Sequence, residues 1–209
     1  SSVDLTGLYN LVEVNLQYNG LSHIILPDSV NESTGSNWGC NYPIGHEYWA
    51  VYCGLELRLY NNQLTSLTIP STLKVGLLEI YDNPISNLDI QGYGIGYINI
   101  SNSHLTSLDL NNQNYLRTLS LRDNDSLLSL DARNKIDLQN IYVENNDLLT
   151  NLDLRNVNLV NINNHNFYNN PQLNCISVSD TLVSNILLDQ IDPWCSFSLN
   201  CTGLGCMDP

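Results

Sequence analysis

Glu56, Arg58 and Tyr60 are spaced two apart, as are Glu79 and Tyr81, and Tyr142 and Glu144. In an extended chain that spacing puts each set on one side of the backbone. Tyrosine rings stack on sugars or protein surfaces, and carboxylates and guanidinium groups hydrogen-bond, so this is chemistry for holding a partner. Groups suited to reaction are harder to find. His23, His46, His104 and His165 are scattered, without HExxH or any paired metal-ligand spacing. No GxSxG, P-loop or GxGxxG before a helix occurs. Neither catalysis, a metal nor a cofactor is expected.

Charge narrows the partners. Seven Lys plus Arg face 21 Asp plus Glu, a net charge of −14. Such a surface repels phosphate backbones and anionic lipid headgroups, so nucleic-acid binding and membrane insertion are not expected. No apolar run approaches the roughly 20 residues of a membrane span. A hydrophobic content of 43% is enough to build a core.

The elements that must position the recognition residues are repeats. Leu116, Leu119, Leu121 and Asn124 follow the L-x-x-L-x-L-x-x-N spacing of a leucine-rich repeat, and most of the chain copies it. Aligned on the asparagine, the copies are Asn19, Asn62, Asn83, Ser103, Asn124, Asn146 and Asn170. Five and three residues before each lies an apolar pair, from Val14/Leu16 through Leu57/Leu59, Leu78/Ile80, Ile98/Ile100, Leu119/Leu121 and Ile141/Val143 to His165/Phe167. An alternating pair reads as a short strand with its apolar side inward. The asparagine is expected to turn inward and satisfy backbone groups at the bend, which Ser103 can do only in part. A second pair follows in each copy (Ile24/Leu26, Leu67/Ile69, Leu88/Ile90, Leu108/Leu110, Leu130/Ala132, Leu152/Leu154, Ile176/Val178). Val3-Asp4-Leu5 has the same form, so the chain is expected to open in the back half of a turn. The fold expected is a right-handed leucine-rich-repeat solenoid of about seven turns, with a parallel β-sheet on the concave side, irregular backs and little helix.

Residues flanking the first strand of each copy would line that concave sheet. They include Glu13, Asn15, Glu56, Arg58, Tyr60, Glu79, Tyr81, Tyr97, Asn99, Arg122, Tyr142, Glu144 and Tyr168. Four of the six Glu and five of the 12 Tyr fall here, an enrichment that argues for a binding face. Arg58–Glu79 and Arg122–Glu144 fall on neighbouring strands, where opposite charges also stabilise the sheet itself. An insertion at about 27–53 carries a second candidate, an aromatic loop with Trp38, Tyr42, His46 and Trp49. Exposed aromatics on a stapled loop commonly fill a partner's pocket; covering the first turns is the rival use. The Asp column at Asp4, Asp89, Asp109, Asp131 and Asp153 is expected to be a solvated face, because the dense Gly-Asp repeats of calcium-binding solenoids are missing.

The six cysteines contain no CxxC pair. Cys40 and Cys53 bracket the aromatic loop, and Cys175, Cys195, Cys201 and Cys206 gather near the end. An even number confined to a loop and a terminus reads as disulfide stapling in an oxidising compartment, hence an extracellular or cell-surface setting. A zinc site is the rival reading.

The units SLDL (107–110), SLDA (129–132) and NLDL (151–154), with NPQLNCISVSD (170–180) and QIDPWCSFSLNC (190–201), resemble secreted leucine-rich-repeat surface proteins of Bacteroidetes, of the flavobacterial type. The resemblance implies a disulfide-stapled cap over 179–203 after a solenoid over 1–178, with Cys175 paired to Cys201. It also implies that GCMDP (205–209) opens a following GCxDP-type module, so that Cys206 pairs either with Cys195 or with a partner beyond Pro209. O-glycosylation at Asp-(Ser/Thr)-apolar sequences in that group would point to Ser29, Ser126 and Thr181. Three functions are in competition: a non-catalytic recognition or adhesion module for a protein or polysaccharide, a subunit that assembles with copies of itself into a filament or surface layer, and a targeting module of a polysaccharide-degrading protein.

Overall fold

The computed structural model describes residues 1–31, 54–180 and 190–201. They form a parallel β-solenoid of the leucine-rich-repeat kind with about eight turns. Helix is almost absent from the described residues, the three-residue 3-10 turn at Leu159–Asn161 being the helical element between the strands.

Strands are numbered in chain order. One side is a continuous seven-stranded front sheet made of β2 (Glu13–Asn15), β4 (Leu55–Arg58), β6 (Val75–Glu79), β8 (Tyr97–Asn99), β9 (Thr118–Ser120), β11 (Asn140–Tyr142) and β13 (Asn164–Asn166). Every neighbour is parallel, and Val14, Leu57, Leu78, Ile98, Leu119, Ile141 and His165 stand in one register row. The back is interrupted. β1 (Ser2–Asp4) pairs with β3 (His23–Ile25), β5 (Ser66–Ile69) with β7 (Asn87–Ile90), and β10 (Ser129–Asp131), β12 (Asn151–Asp153), β14 (Cys175–Ser177) and β15 (Ser196–Ser198) form a separate four-stranded sheet.

The core lies between front and back. Leu57, Leu59, Leu78, Ile80, Ile98, Ile100, Leu119 and Leu121 from the front are at 0% exposure, with Ile69, Leu152 and Ile176 from the back. Burying each such side chain is worth about 1.5–3 kcal/mol, which no single turn could accumulate alone.

The extra turn beyond the expected seven is at the C-terminal end. Phe167 bridges to Ile191 and β15 pairs with β14, so the cap continues the solenoid in register. Cys175 and Cys201 are bonded across it, as the resemblance implied, and closing that 26-residue loop contributes about 3.5 kcal/mol. Cys195 is buried beside it. Cys40, Cys53 and Cys206 lie outside the described residues, as do the loop residues Trp38, Tyr42, His46 and Trp49 and the tail 204–209. At the start of β4 the register shifts between Leu55 and Glu56. Gly54 makes this possible: at φ +143 a Cβ would stand 2.7 Å from the Gly76 nitrogen.

The asparagines turn inward as expected. Asn62, Asn83, Asn124, Asn146 and Asn170 are at most 2% exposed. Each Nδ2 donates to carbonyls of its own turn and of the turn before: Asn83 to Leu59 and Ile80, Asn170 to Val143 and Phe167. Their Oδ1 atoms accept backbone N–H groups from the preceding turn, as Asn146 does from Asn124 and Asn170 from Asn146. The column is thus a continuous polar seam that satisfies buried backbone groups. It breaks at Ser103, where Ser103 Oγ and Asn124 Oδ1 are both buried without a hydrogen-bond partner. Asn19 departs from expectation. It is exposed, and its carboxamide donates only to the Gln17 carbonyl, because no earlier front turn covers it among the described residues.

Candidate functional site

The front sheet brings the predicted face together. One outward row runs Glu13, Glu56, Leu77, Tyr97, Thr118, Asn140, Asn164, and the next Asn15, Arg58, Glu79, Asn99, Ser120, Tyr142, Asn166. Tyr60, Tyr81, Arg122, Glu144 and Tyr168 follow two residues on, where the strands give way to the bend. Leu77 and Ser120 are covered, at 4% and 7% exposure, so the face is not uniformly open.

Arg58 is the hub of its N-terminal half. Its Nη1 stands 2.6 Å from Glu13 and 2.7 Å from Glu56, and its Nε 3.4 Å from Glu79. One guanidinium serves three carboxylates, so the cluster keeps negative charge. Burial raises the Glu79 pKa; Arg58 opposes that rise and Glu56 adds to it. Beside the cluster Tyr60 and Tyr81 stack, with centroids 4.4 Å apart and planes 8° from parallel. Tyr18 meets Tyr60 edge-on at 5.6 Å and is 70% exposed. Burial, then Tyr60 and Glu79, push the Tyr81 phenol up, so it stays protonated and able to donate. Tyr97 is raised by burial and by Glu79. Tyr18 is the residue of this platform that sequence reasoning missed. It stands one place beyond the alternating row, and only its left-handed backbone at φ 59 brings it to the face.

The C-terminal half is a smaller copy. Arg122 lies 4.4 Å over the Tyr142 ring and is ion-paired through Nε with Glu144, which also accepts from Asn166 Nδ2. Both expected cross-strand pairs, Arg58–Glu79 and Arg122–Glu144, therefore form. Between the halves Asn99 and Ser101 hydrogen-bond each other, and the Ser101 and Ser120 hydroxyls are 3.1 Å apart. Tyr168 ends the row at 36% exposure, and His165 turns inward, half-buried, 5.9 Å from the Phe167 ring.

A second ladder was invisible to the repeat alignment. The residue before each seam position is left-handed: Tyr18, Asn61, Asp82, Asn102, Asp123, Asn145 and Asn169, of which Tyr18 alone is neither Asn nor Asp. These side chains link turn to turn. Asn61 and Asn102 both donate to Asp82, Asn145 donates to Asp123, and Asn169 to Asn145. The readable signal was the restriction to Asn and Asp, the residues that tolerate φ > 0.

Asp4, Asp109 and Asp131 of the Asp column are exposed, as expected of a solvated face, and the column also has a structural job. Asp4, Asp109, Asp131 and Asp153 each accept the N–H two residues on, an Asx turn closing the back strand. Asp153 is only 7% exposed and pairs with Arg155, while Arg133 pairs with Asp131 and reaches Asp153 at 3.6 Å. Among the described residues no group of three His, Cys, Asp or Glu is placed to hold a metal ion, and no helix is long and apolar enough to cross a membrane. Of the glycosylation candidates, Ser29 and Ser126 are half-buried, Ser126 in a turn, and Thr181 lies outside the described residues.

No family model matches the chain, and no curated protein and no solved structure matches it. Fold and face define the class: a parallel β-solenoid presenting an aromatic and carboxylate strip.

Proposed function

We propose that this chain is a non-catalytic recognition module of an extracellular or cell-surface protein, binding a protein or polysaccharide partner across the front sheet. The observation that carries the reading is the Tyr18–Tyr60–Tyr81 platform beside a hub in which Arg58 answers three glutamates. Flat aromatic faces lose little entropy on contact, and the uncompensated carboxylates favour neutral or cationic groups over anionic polymers. The test is a panel of immobilised glycans and surface proteins probed with the parent chain and with Tyr60→Ala and Tyr18→Ala. Loss of a partner by variants that melt as the parent does supports the reading. Partners retained at full strength by both would sink it.

Self-assembly is the second reading, favoured by the contrast between the two ends of the front sheet. β13 is followed by the Phe167–Ile191 bridge, whereas among the described residues β2 pairs with β4 alone, with Val12 at 56% exposure next to it. Negative-stain microscopy across concentration separates the readings: ordered filaments or sheets favour assembly, dispersed particles recognition.

A further inference from the structure

Asn19-Gly20 is the sole Asn-Gly step in the sequence. We propose that Asn19 is a site of spontaneous deamidation and isoaspartate formation, in contrast to every other asparagine of the seam. The chemistry needs the amide nitrogen of the following residue to reach the asparagine Cγ. A side chain on that residue hinders the approach, and so does any hydrogen bond holding its N–H.

Here each obstacle is missing. Gly20 has no side chain, and even a Cβ built there would meet nothing within 4 Å. Its N–H donates to no acceptor among the described residues, while the N–H groups on either side do: those of Asn19 and Leu21 both go to Asn62 Oδ1, at 3.1 and 2.9 Å. Asn19 itself is exposed, and one hydrogen bond, to the Gln17 carbonyl at 2.8 Å, holds its carboxamide. Asn62, Asn83 and Asn170 each donate three hydrogen bonds from theirs and accept at least one more, inside the core, and Gln, Pro and Pro follow them. The step balances with water as sole co-reactant. The Gly20 nitrogen loses its proton to base and bonds to Cγ, the Cγ–Nδ2 bond breaks, and ammonia leaves with a proton, giving a succinimide. Water then opens the ring at either carbonyl, giving aspartate or isoaspartate.

The product alters the face. Isoaspartate inserts a methylene into the backbone between the two N–H groups that Asn62 Oδ1 accepts, and Tyr18 is the residue immediately before. Ageing at this one position therefore loosens the first turn and releases Tyr18 from Tyr60.

The test is peptide mass mapping, with isoaspartate detection, of the folded chain held in mildly alkaline buffer at physiological temperature. Conversion at Asn19 is expected an order of magnitude faster than at exposed Asn111 or Asn158, and the Asn19→Gln variant should gain no mass in that peptide. Conversion at Asn19 no faster than at those asparagines would overturn the proposal. The readout is mass, so it stands or falls apart from any binding by the front sheet.

Discussion

The Asp192 carboxylate accepts the backbone N–H of Asn170 at 2.8 Å through one oxygen and that of Asn169 at 3.0 Å through the other. Asn170 is the last asparagine of the seam, and Asp192, at 4% exposure, stands where the next would be. A carboxylate suits this rung because each of its two oxygens accepts one of these N–H groups, where a carboxamide would offer a single oxygen. Asp192→Ala strips the partners from both N–H groups and is expected to cost about 3 kcal/mol. Asp192→Asn, which keeps one acceptor, should cost less. Urea unfolding monitored by hydrogen exchange checks both, with the loss concentrated in the C-terminal turns.

The seam's break at Ser103 makes a prediction of opposite sign. Ser103→Asn supplies a carbonyl oxygen and an amide where a buried hydroxyl has no partner, and it reaches toward the turn where Asn124 Oδ1 is also unsatisfied. The variant is expected to be more stable by about 1 kcal/mol in denaturant titration. No gain would mean that the turn cannot admit the larger side chain.

Lys135 is 4% exposed at the bend after β10, where neighbouring turns place Gln113 and Val157. Burial lowers its pKa, against the pull of Asp131 and Asp109. A lysine whose folded pKa lies below its unfolded value of 10.5 disfavours folding while charged. Stability should therefore rise as pH climbs from the depressed value towards 10.5. Lys135→Gln is expected to melt higher than the parent at neutral pH, with the advantage shrinking in alkali. A difference in melting temperature that ignores pH would refute this account.

Arg58→Ala leaves Glu13, Glu56 and Glu79 facing one another. Glu79 already has a pKa above its usual 4.5, so its native state binds the proton more readily than the unfolded chain, and its contribution to stability falls as pH rises through that window. Removing Arg58, which opposes the rise, pushes the pKa further up. The variant should be destabilised by about 1–3 kcal/mol at neutral pH, recover as pH falls below the glutamate range, and show greater salt sensitivity than the parent. Melting temperatures across pH and ionic strength decide it.

What the sequence made legible was whatever repeats at fixed spacing. The inward pairs, the asparagine seam and the pairs Arg58–Glu79 and Arg122–Glu144 follow from strand alternation and a constant turn length, because position alone settles which way a side chain points. Asp192 stands 22 residues after Asn170, at the repeat spacing, but it was not legible because the rung is aspartate and the residues five and three before it, Leu187 and Asp189, are not an apolar pair. Tyr18 hid for a related reason: alternation puts it off the face, and a left-handed backbone brings it back. The Asp82 ladder was visible only as a preference for Asn and Asp, whose meaning depends on a dihedral angle.

The uneven backing of the sheet has a mechanical consequence. Seven strands run unbroken along the front, while the back is divided after β3 and again between β7 and β10. Under a bending load the front acts as the inextensible fibre of a beam, and the two divisions are where the opposite side opens or closes. The molecule is therefore stiff against stretching along its face and compliant in curvature, with both hinges on the side away from the tyrosines.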